Sequence, residues 1–337
     1  MRTAGIDRQP VTSWLQRHIG AEPPLTFDLI TGGNSNLTYR VEDRRGEVVA
    51  LRRPPLSRVL ESAHDMAREF RVISALHGTD VPVPEPLGLC EDEAVNQAPF
   101  YVMRFVDGIV PHDADVGAQI PAEERIALSE AVVDVLGALH SLDPDEVGLG
   151  DLGRREGYVA RQLRRWAGQW EASKQRDIAA MDEVRARLEA QIPFQTRTTV
   201  VHGDFRIGNA IVRSGAIAAM VDWELCTLGD PLADVGYLLN SWLSPDEPVL
   251  WRSSATQAGG YLDRGAVLDR YAAITGADVT RVSYYQAFQS WRMAAILEGV
   301  YARYRHGAMA STEGVDLDML ASSVFRLADR ALEQLAE

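Results

Sequence analysis

The stretch His202-Gly203-Asp204-Phe205-Arg206-Ile207-Gly208-Asn209, followed by Met220-Val221-Asp222-Trp223-Glu224, holds the residues best suited to chemistry. Moving a phosphoryl group onto a hydroxyl needs a carboxylate to orient the hydroxyl and accept its proton. It also needs oxygen ligands for Mg²⁺, which takes one or two from protein and the rest from phosphates and water. Asp204 can be that base, and Asn209 and Asp222 can be the ligands. Two short apolar runs flank Arg213-Ser214-Gly215, which reads as a hairpin. Folded about Ser214-Gly215, the ribbon pairs 209 with 220 and 207 with 222. Asn209 and Asp222 then share a face as diagonal neighbours, roughly 7–8 Å apart. A turn rich in Asp, Asn and Gly usually needs no function. The second aspartate on the same face favours the functional reading.

The rest of the chain supplies elements to position these residues. Thr12–Gly20 reads as a short helix, stopped by Gly20 and Pro23-Pro24. Phe27–Ile30, Leu37–Val41 and Val48–Arg52 read as strands, with Thr31-Gly32-Gly33-Asn34-Ser35-Asn36 as the first loop. Met66, Phe70, Ile73 and His77 form one stripe of a helix over Ser62–His77. Leu87–Cys90 and Phe100–Val106 complete a five-stranded antiparallel sheet with one main helix. Beyond Asp107-Gly108 the text is mainly helical: Glu123–Leu142, Tyr158–Lys174, Asp182–Gln191, Pro231–Trp242, Ser283–His306 and Asp316–Ala336. The fold class is therefore α+β, with units at 1–106 and 107–337.

At 337 residues the chain exceeds the usual single core, which also argues for two units. A formal charge of −14 argues against general affinity for nucleic acid or an anionic membrane. Cys90 and Cys226 are too few for a disulfide framework or a cysteine metal site. Neither a secretory signal nor an apolar run of membrane-spanning length is read, so a cytoplasmic location is expected. Lys174 is the single lysine, so a cation meeting phosphate would have to be arginine.

Taken together, these segments resemble the protein-kinase-like bilobal fold, and within it the aminoglycoside phosphotransferase and choline kinase branch. His202-Gly203-Asp204-Phe205-Arg206-x-x-Asn209 is similar to that branch's catalytic loop. Trp223-Glu224-Leu225-Cys226-Thr227-Leu228-Gly229-Asp230-Pro231-Leu232-Ala233-Asp234 resembles a bacterial subgroup, and the kinase-like domain of some acyl-CoA dehydrogenase family members. The resemblance implies an ATP- or GTP-dependent, Mg²⁺-dependent kinase acting on a small-molecule hydroxyl. It makes Asp204 the base and places Arg206 near the transferring phosphate, with Asn209 and Asp222 on Mg²⁺. It sets Gly33, Asn34, Ser35 and Asn36 over the phosphates, and Met103 with the backbone of Arg104 and Val106 around adenine. Arg52 stands where the fold usually has lysine, with Glu69 as its helix partner. Arg53 is the alternative cation, and a solvated Glu69 is the alternative to a partner. Asp230 and Asp234 are expected to brace the catalytic loop, and His140 and His202 to be packed structural residues.

Three functions are weighed on these grounds: a small-molecule kinase, a nucleotide-binding pseudokinase suggested by Arg52, and a metal-dependent hydrolase. The hydrolase lacks a His-rich or multi-carboxylate cluster. Aminoglycosides, hydroxy acids and hydroxyacyl-CoA are all open as acceptors. Helical segments 155–175 and 283–306 are expected to line the acceptor site through Tyr158, Arg161, Trp166, Trp291 and Arg292.

Overall fold

Runs rich in Val, Leu, Phe and Tyr in the N-terminal third form strands, of which the last, Phe100–Arg104, is buried along most of its length. In the computed structural model, which describes residues 4–30, 36–56, 65–306 and 316–337, these are β1 (Thr26–Ile30), β2 (Leu37–Glu42), β3 (Val48–Arg53), β4 (Pro86–Cys90) and β5 (Phe100–Arg104). They form one antiparallel sheet in the order β1-β2-β3-β5-β4. Tyr39, Val41, Leu51, Phe100 and Val102 are buried beneath it. Helix α1 (Arg8–Ile19) adds Val11, Trp14 and Leu15 to the same core. It ends at Gly20, whose φ of 69° is the left-handed conformation that glycine adopts without a Cβ penalty. Helix α2 (Met66–Leu76) begins at Asp65, whose carboxylate accepts from the Arg68 amide at 2.9 Å. Between β4 and β5 the acidic run Glu91-Asp92-Glu93 leads into the one-turn helix α3 (Glu93–Asn96), capped by Asp92.

Two compact units result: Met1–Gly108 with Ala218–Cys226, and Ile109–Ile217 with Thr227–Glu337. Asp222 and Glu224 thus belong to the first unit, while Asp204, Arg206 and Asn209 belong to the second.

In the second unit, α4 (Ala114–Gly117), α5 (Arg125–Ser141), α6 (Tyr158–Ser173) and α7 (Ala179–Ala190) precede the short strand β6 (Thr199–Val201). The ribbon β7 (Ala210–Arg213) and β8 (Ala216–Met220) turns at Ser214 and Gly215, both with positive φ, as a two-residue hairpin turn requires. β9 (Thr227–Gly229) pairs antiparallel with β6. Helices α8 (Leu232–Ser241), α9 (Arg264–Thr275), α10 (Val282–Arg305) and α11 (Leu317–Gln334) complete the unit. α10 is the central element, burying Tyr285, Phe288, Trp291 and Ala295 against α6, α7, α8 and α11. The sequence pattern does not reveal α9: only Val267 and Tyr271, four residues apart, are buried along it.

Candidate active site

The catalytic segment of the second unit is a tight loop held mainly through its backbone. After β6 the chain turns at Gly203, at φ 84°, and passes through an extended Arg206 into a 3₁₀ turn over Ile207–Asn209. Phe205 is wholly buried and pins the loop to the unit's interior. From α8, the Asp234 carboxylate accepts the His202 amide at 2.6 Å and the Gly203 amide at 2.8 Å. The expected bracing role is therefore observed for Asp234. Asp230 acts elsewhere: it accepts from the Tyr285 hydroxyl at 2.6 Å and from the Leu232 amide at the start of its own helix.

Asp234 is 1% exposed, and burial by itself would raise its pKa. The hydrogen bond and charge of His140, with the His202 and Gly203 contributions, outweigh burial and hold it below the usual carboxylate range. His140 is itself fixed by the Tyr271 hydroxyl at 2.8 Å. His202 is buried, with Nδ1 accepting the Asp204 amide at 3.2 Å. Both histidines are structural: His202 lies in the loop, and His140 on α5 supports it through Asp234.

Asp204 stays partly open, with 19% of its side chain exposed. Asn209 Nδ2 donates to both the Asp204 carbonyl and Oδ2, each at 2.8 Å. With its NH₂ group engaged this way, Asn209 keeps its amide oxygen for another role. Arg206 Nε lies 3.8 Å from Asp204 Oδ1. The Arg206 guanidinium folds back over Gly208, where an added Cβ would collide with Nη1. Tyr237 of α8 is buried, and burial, followed by the Asp204 charge, raises its pKa.

Beside this loop is a recess lined by Arg206, Ile207, Gly208 and Tyr237, by Leu243, Glu247, Trp251 and Ser254, and by Gln289, Met293 and Leu327. Of the expected acceptor residues, Trp291 is in the core instead, its indole donating to the Met181 carbonyl at 3.0 Å. Tyr158 is buried against Gly229. Arg292 does approach the loop, donating to the Gly203 carbonyl at 3.2 Å. Segment 243–258 has no helical or strand period to announce it in the sequence. It is held by the Ser254–Gln257 capping box.

In the first unit, the charged residues hold one another. Arg52 Nε bonds Glu69 at 3.2 Å, and Arg52 Nη2 bonds Asp222 Oδ1 at 2.6 Å. Glu224 lies 3.9 Å from the same guanidinium and accepts from Asn36 Nδ2 at 3.1 Å. Glu69 is 2% exposed, so the solvated reading is wrong. Arg53 is directed away, bonding the Gly5 and Pro54 carbonyls, so Arg52 is the cation facing Glu69. Burial opposes the Arg52 charge, but Glu69, Tyr101, Asp222 and Glu224 keep it above the ordinary arginine range. Burial raises Glu69, with Arg52 pulling the other way. Tyr101, directly across the β3–β5 pairing from Arg52, is buried, and burial, followed by the Glu69 charge, raises its pKa. In the sequence Tyr101 reads as part of a buried strand, and it is buried on β5.

Asp222 has φ 72° and ψ 54°, a left-handed conformation for a non-glycine residue. The β7–β8 ladder stops at Ala210 and Met220, so neither Asn209 nor Asp222 is in an extended strand. The cross-strand diagonal argument therefore does not apply: Asn209 closes a 3₁₀ turn and Asp222 opens another. Gly33, Asn34 and Ser35 lie outside the described residues. Met103 is buried on β5, and the Arg104 amide donates to the Glu85 carbonyl at 2.8 Å. Among the described residues no group of three or more His, Cys, Asp or Glu could hold a metal.

Residues 26–274 match the phosphotransferase enzyme family. Among curated proteins, the chain is 34% identical to acyl-CoA dehydrogenase family member 10 of Mus musculus over 97% of its length. It is 35% identical to family member 11 of Gallus gallus over 90%. The chain spans 31% and 39% of the length of these two relatives. A crystal structure from Ralstonia eutropha, assigned provisionally as an aminoglycoside phosphotransferase, superposes with TM-score 0.83 and 32% identity, covering 98% of both chains. The aminoglycoside phosphotransferase APH(4)-Ia, in complex with AMP-PNP and hygromycin B, shares the fold at TM-score 0.63 and 17% identity, over 97% of this chain and 98% of its own.

Proposed function

We propose that this chain, which belongs to the phosphotransferase enzyme family, transfers the γ-phosphoryl group of ATP or GTP to a small-molecule hydroxyl. The observation that carries the reading is Asp204: a carboxylate fixed by Asn209 on a backbone-braced loop, partly open beside a recess. Phosphoryl transfer needs little covalent work from the protein, so positioning and charge supply most of the acceleration. Asp204 orients the acceptor hydroxyl and takes its proton as the bond to phosphorus forms. Arg206, stacked over Gly208, meets charge on the transferring group. Asn209 and Asp222 would hold Mg²⁺, which supplies neutralisation of phosphate charge. Arg52 replaces the usual lysine as the phosphate contact, oriented by Glu69. The backbone near Val106, beside Met103, would take adenine, because the Arg104 amide is already engaged.

The lining of the recess bears on the acceptor. Its cations are Arg206, Arg252, Arg264 and Arg330, of which Arg264 is paired with the single recess carboxylate, Glu247, at 2.8 Å and Arg330 with Glu333 at 3.2 Å. A polycation of the aminoglycoside type would meet arginines there. A hydroxy acid or hydroxyacyl thioester suits the mixture of arginine with Leu243, Trp251, Met293 and Leu327, and agrees with relatives named as acyl-CoA dehydrogenase family members. The direct test is ADP release from Mg·ATP over hydroxy acids, hydroxyacyl-CoA and aminoglycosides, with Asp204→Asn as the blank. Release above the blank with an anionic acceptor is expected. No release with any class would favour a second reading, a nucleotide-binding module without turnover. The ion pair that engages Asp222 with Arg52 is the observation on that side.

A further inference from the structure

Gly203 is where the direction of the catalytic loop is decided. Its φ of 84° is a left-handed value that glycine adopts without strain, and the next residue is Asp204. Both polar groups of Gly203 are held by charged side chains from different helices. Its N–H donates to Asp234 Oδ1 of α8 at 2.8 Å, and its carbonyl accepts from Arg292 Nη1 of α10 at 3.2 Å. The helices that carry these two side chains are themselves fastened together. Gln289 Nε2 donates to the Ala233 carbonyl at 2.8 Å, and Asn240 Nδ2 donates to the Gln286 carbonyl at 2.8 Å. Between them Gly236 lies so close to α10 that an added Cβ would sit 2.7 Å from the Tyr285 carbonyl carbon.

Arg292 is 7% exposed, and among the described residues it makes no ion pair with a carboxylate. Nη1 also donates to Gln289 Oε1 at 2.9 Å, while Nε is buried without a hydrogen-bond partner. The guanidinium lies 5.3 Å from the Trp166 ring and 5.9 Å from the Tyr237 ring. A buried charge without a counter-ion is destabilising, and an apolar side chain of similar volume would fill the same space without that penalty. Packing alone therefore does not account for an arginine here.

We infer that Arg292 is a positioning residue for the phosphoryl-transfer reaction: with Asp234 it grips Gly203 by carbonyl and N–H, and so fixes the direction in which the chain presents Asp204. Its consequence for catalysis rests on the reading of Asp204 as the base. The Gly203 carbonyl and the Asp204 amide belong to one rigid peptide plane. Arg292 holds one edge of that plane, and His202 Nδ1, accepting the Asp204 amide at 3.2 Å, holds the other. Asp234 holds the plane before it through the Gly203 amide. Releasing the carbonyl edge lets the plane turn and carries the carboxylate with it. A displacement of about 1 Å at a reacting group can cost roughly 10²-fold in rate.

The test is Arg292→Met, which removes the charge and the donor and keeps a long apolar stem. Amide hydrogen exchange needs no substrate. Exchange over 200–209 is expected to quicken at least roughly tenfold, the size of one charge-assisted hydrogen bond, while α5 and α11 keep wild-type protection. With Mg·ATP as the probe and water as the acceptor, ADP release is expected to fall roughly tenfold or more, with the nucleotide KM within about twofold. Arg292→Lys separates the grip from packing, because it restores a cationic donor without the planar group beside Trp166 and Tyr237. Loop protection and ADP release within about threefold of wild type are expected of it. A lysine variant with exchange as fast as that of Arg292→Met, or a methionine variant with unchanged exchange, overturns the grip. If Arg292→Met does not fold, the lysine variant decides alone against wild type by the same two readouts. Full ADP release in Asp204→Asn removes the base but leaves the exchange result standing, so the two failures are told apart.

Discussion

The two units hold their chemistry-bearing residues in opposite ways. Around Arg52, side chains hold side chains: one guanidinium faces Glu69 and Asp222, with Glu224 at 3.9 Å. Around Asp204, backbone amides and a neutral donor do the holding: Asp234 takes two loop amides, and Asn209 bonds the carboxylate. A cluster of ion pairs can exchange partners when a new charge arrives, because each member keeps a counter-ion in more than one arrangement. A loop tied by its own backbone has no such alternative. The first design suits residues that must accommodate a charged nucleotide, and the second a base whose position must not vary.

The sharpest break of this contrast is Asp204→Asn. Loss of the base should lower turnover by about 10²–10⁴-fold while nucleotide affinity, read by calorimetry, stays near wild type. Turnover within tenfold of wild type would make the rigid loop a scaffold without a reacting group.

Next in size is Arg52→Met, which leaves Glu69 buried and unpaired beside Asp222. A loss of about 3–5 kcal/mol in urea unfolding is expected, with Arg52→Lys recovering much of it. A loss below about 1 kcal/mol would mean that the cluster is not held by charge.

Asp234→Asn probes the other arrangement, since a carboxamide cannot accept from both amides through both its heavy atoms. A cost of about 1–3 kcal/mol is expected. Because the folded Asp234 pKa lies below its unfolded value, its contribution is fully present above about pH 4 and fades as pH falls through the folded value. The stability gap between wild type and Asp234→Asn should therefore be flat near neutrality and close in acid. A gap that widens in acid would contradict the assignment.

Gly208→Ala is the mildest change. The new methyl chiefly displaces the Arg206 guanidinium, the flexible end of a side chain, and comes within 3.3 Å of the His112 Cα. The melting temperature should hardly move, while turnover drops by roughly tenfold if Arg206 meets the transferring phosphate. Equal turnover would place Arg206 outside the reaction.

Much of this arrangement was legible from residue types. The strand text announced β1 to β5, and the Gly-Asp-Phe-Arg run together with Asp234 announced a braced catalytic loop. Arg52 and Glu69 were paired by their places on a strand and a helix, and they do meet. Two features were hidden for physical reasons. Asp222 was placed on a strand because period and parity carry no sign of φ. The recess was sought on α6 and along α10 near Trp291. It is shaped in large part by the aperiodic segment 243–258, to which no pattern points.

Arg52 also governs which reagents can mark this protein. Acyl phosphates and aldehydes that capture a nucleotide site do so through a lysine amine. A guanidinium stays protonated and is not a nucleophile toward them. The chain's single side-chain amine is Lys174, just past the end of α6, paired with Glu171 at 2.8 Å. Amine-directed nucleotide probes would therefore leave the Arg52 cluster unlabelled even in a fully active preparation. Surveys that count kinases by such labels would pass over it, and arginine-directed dicarbonyls or direct detection of ADP are the chemistries that would register it.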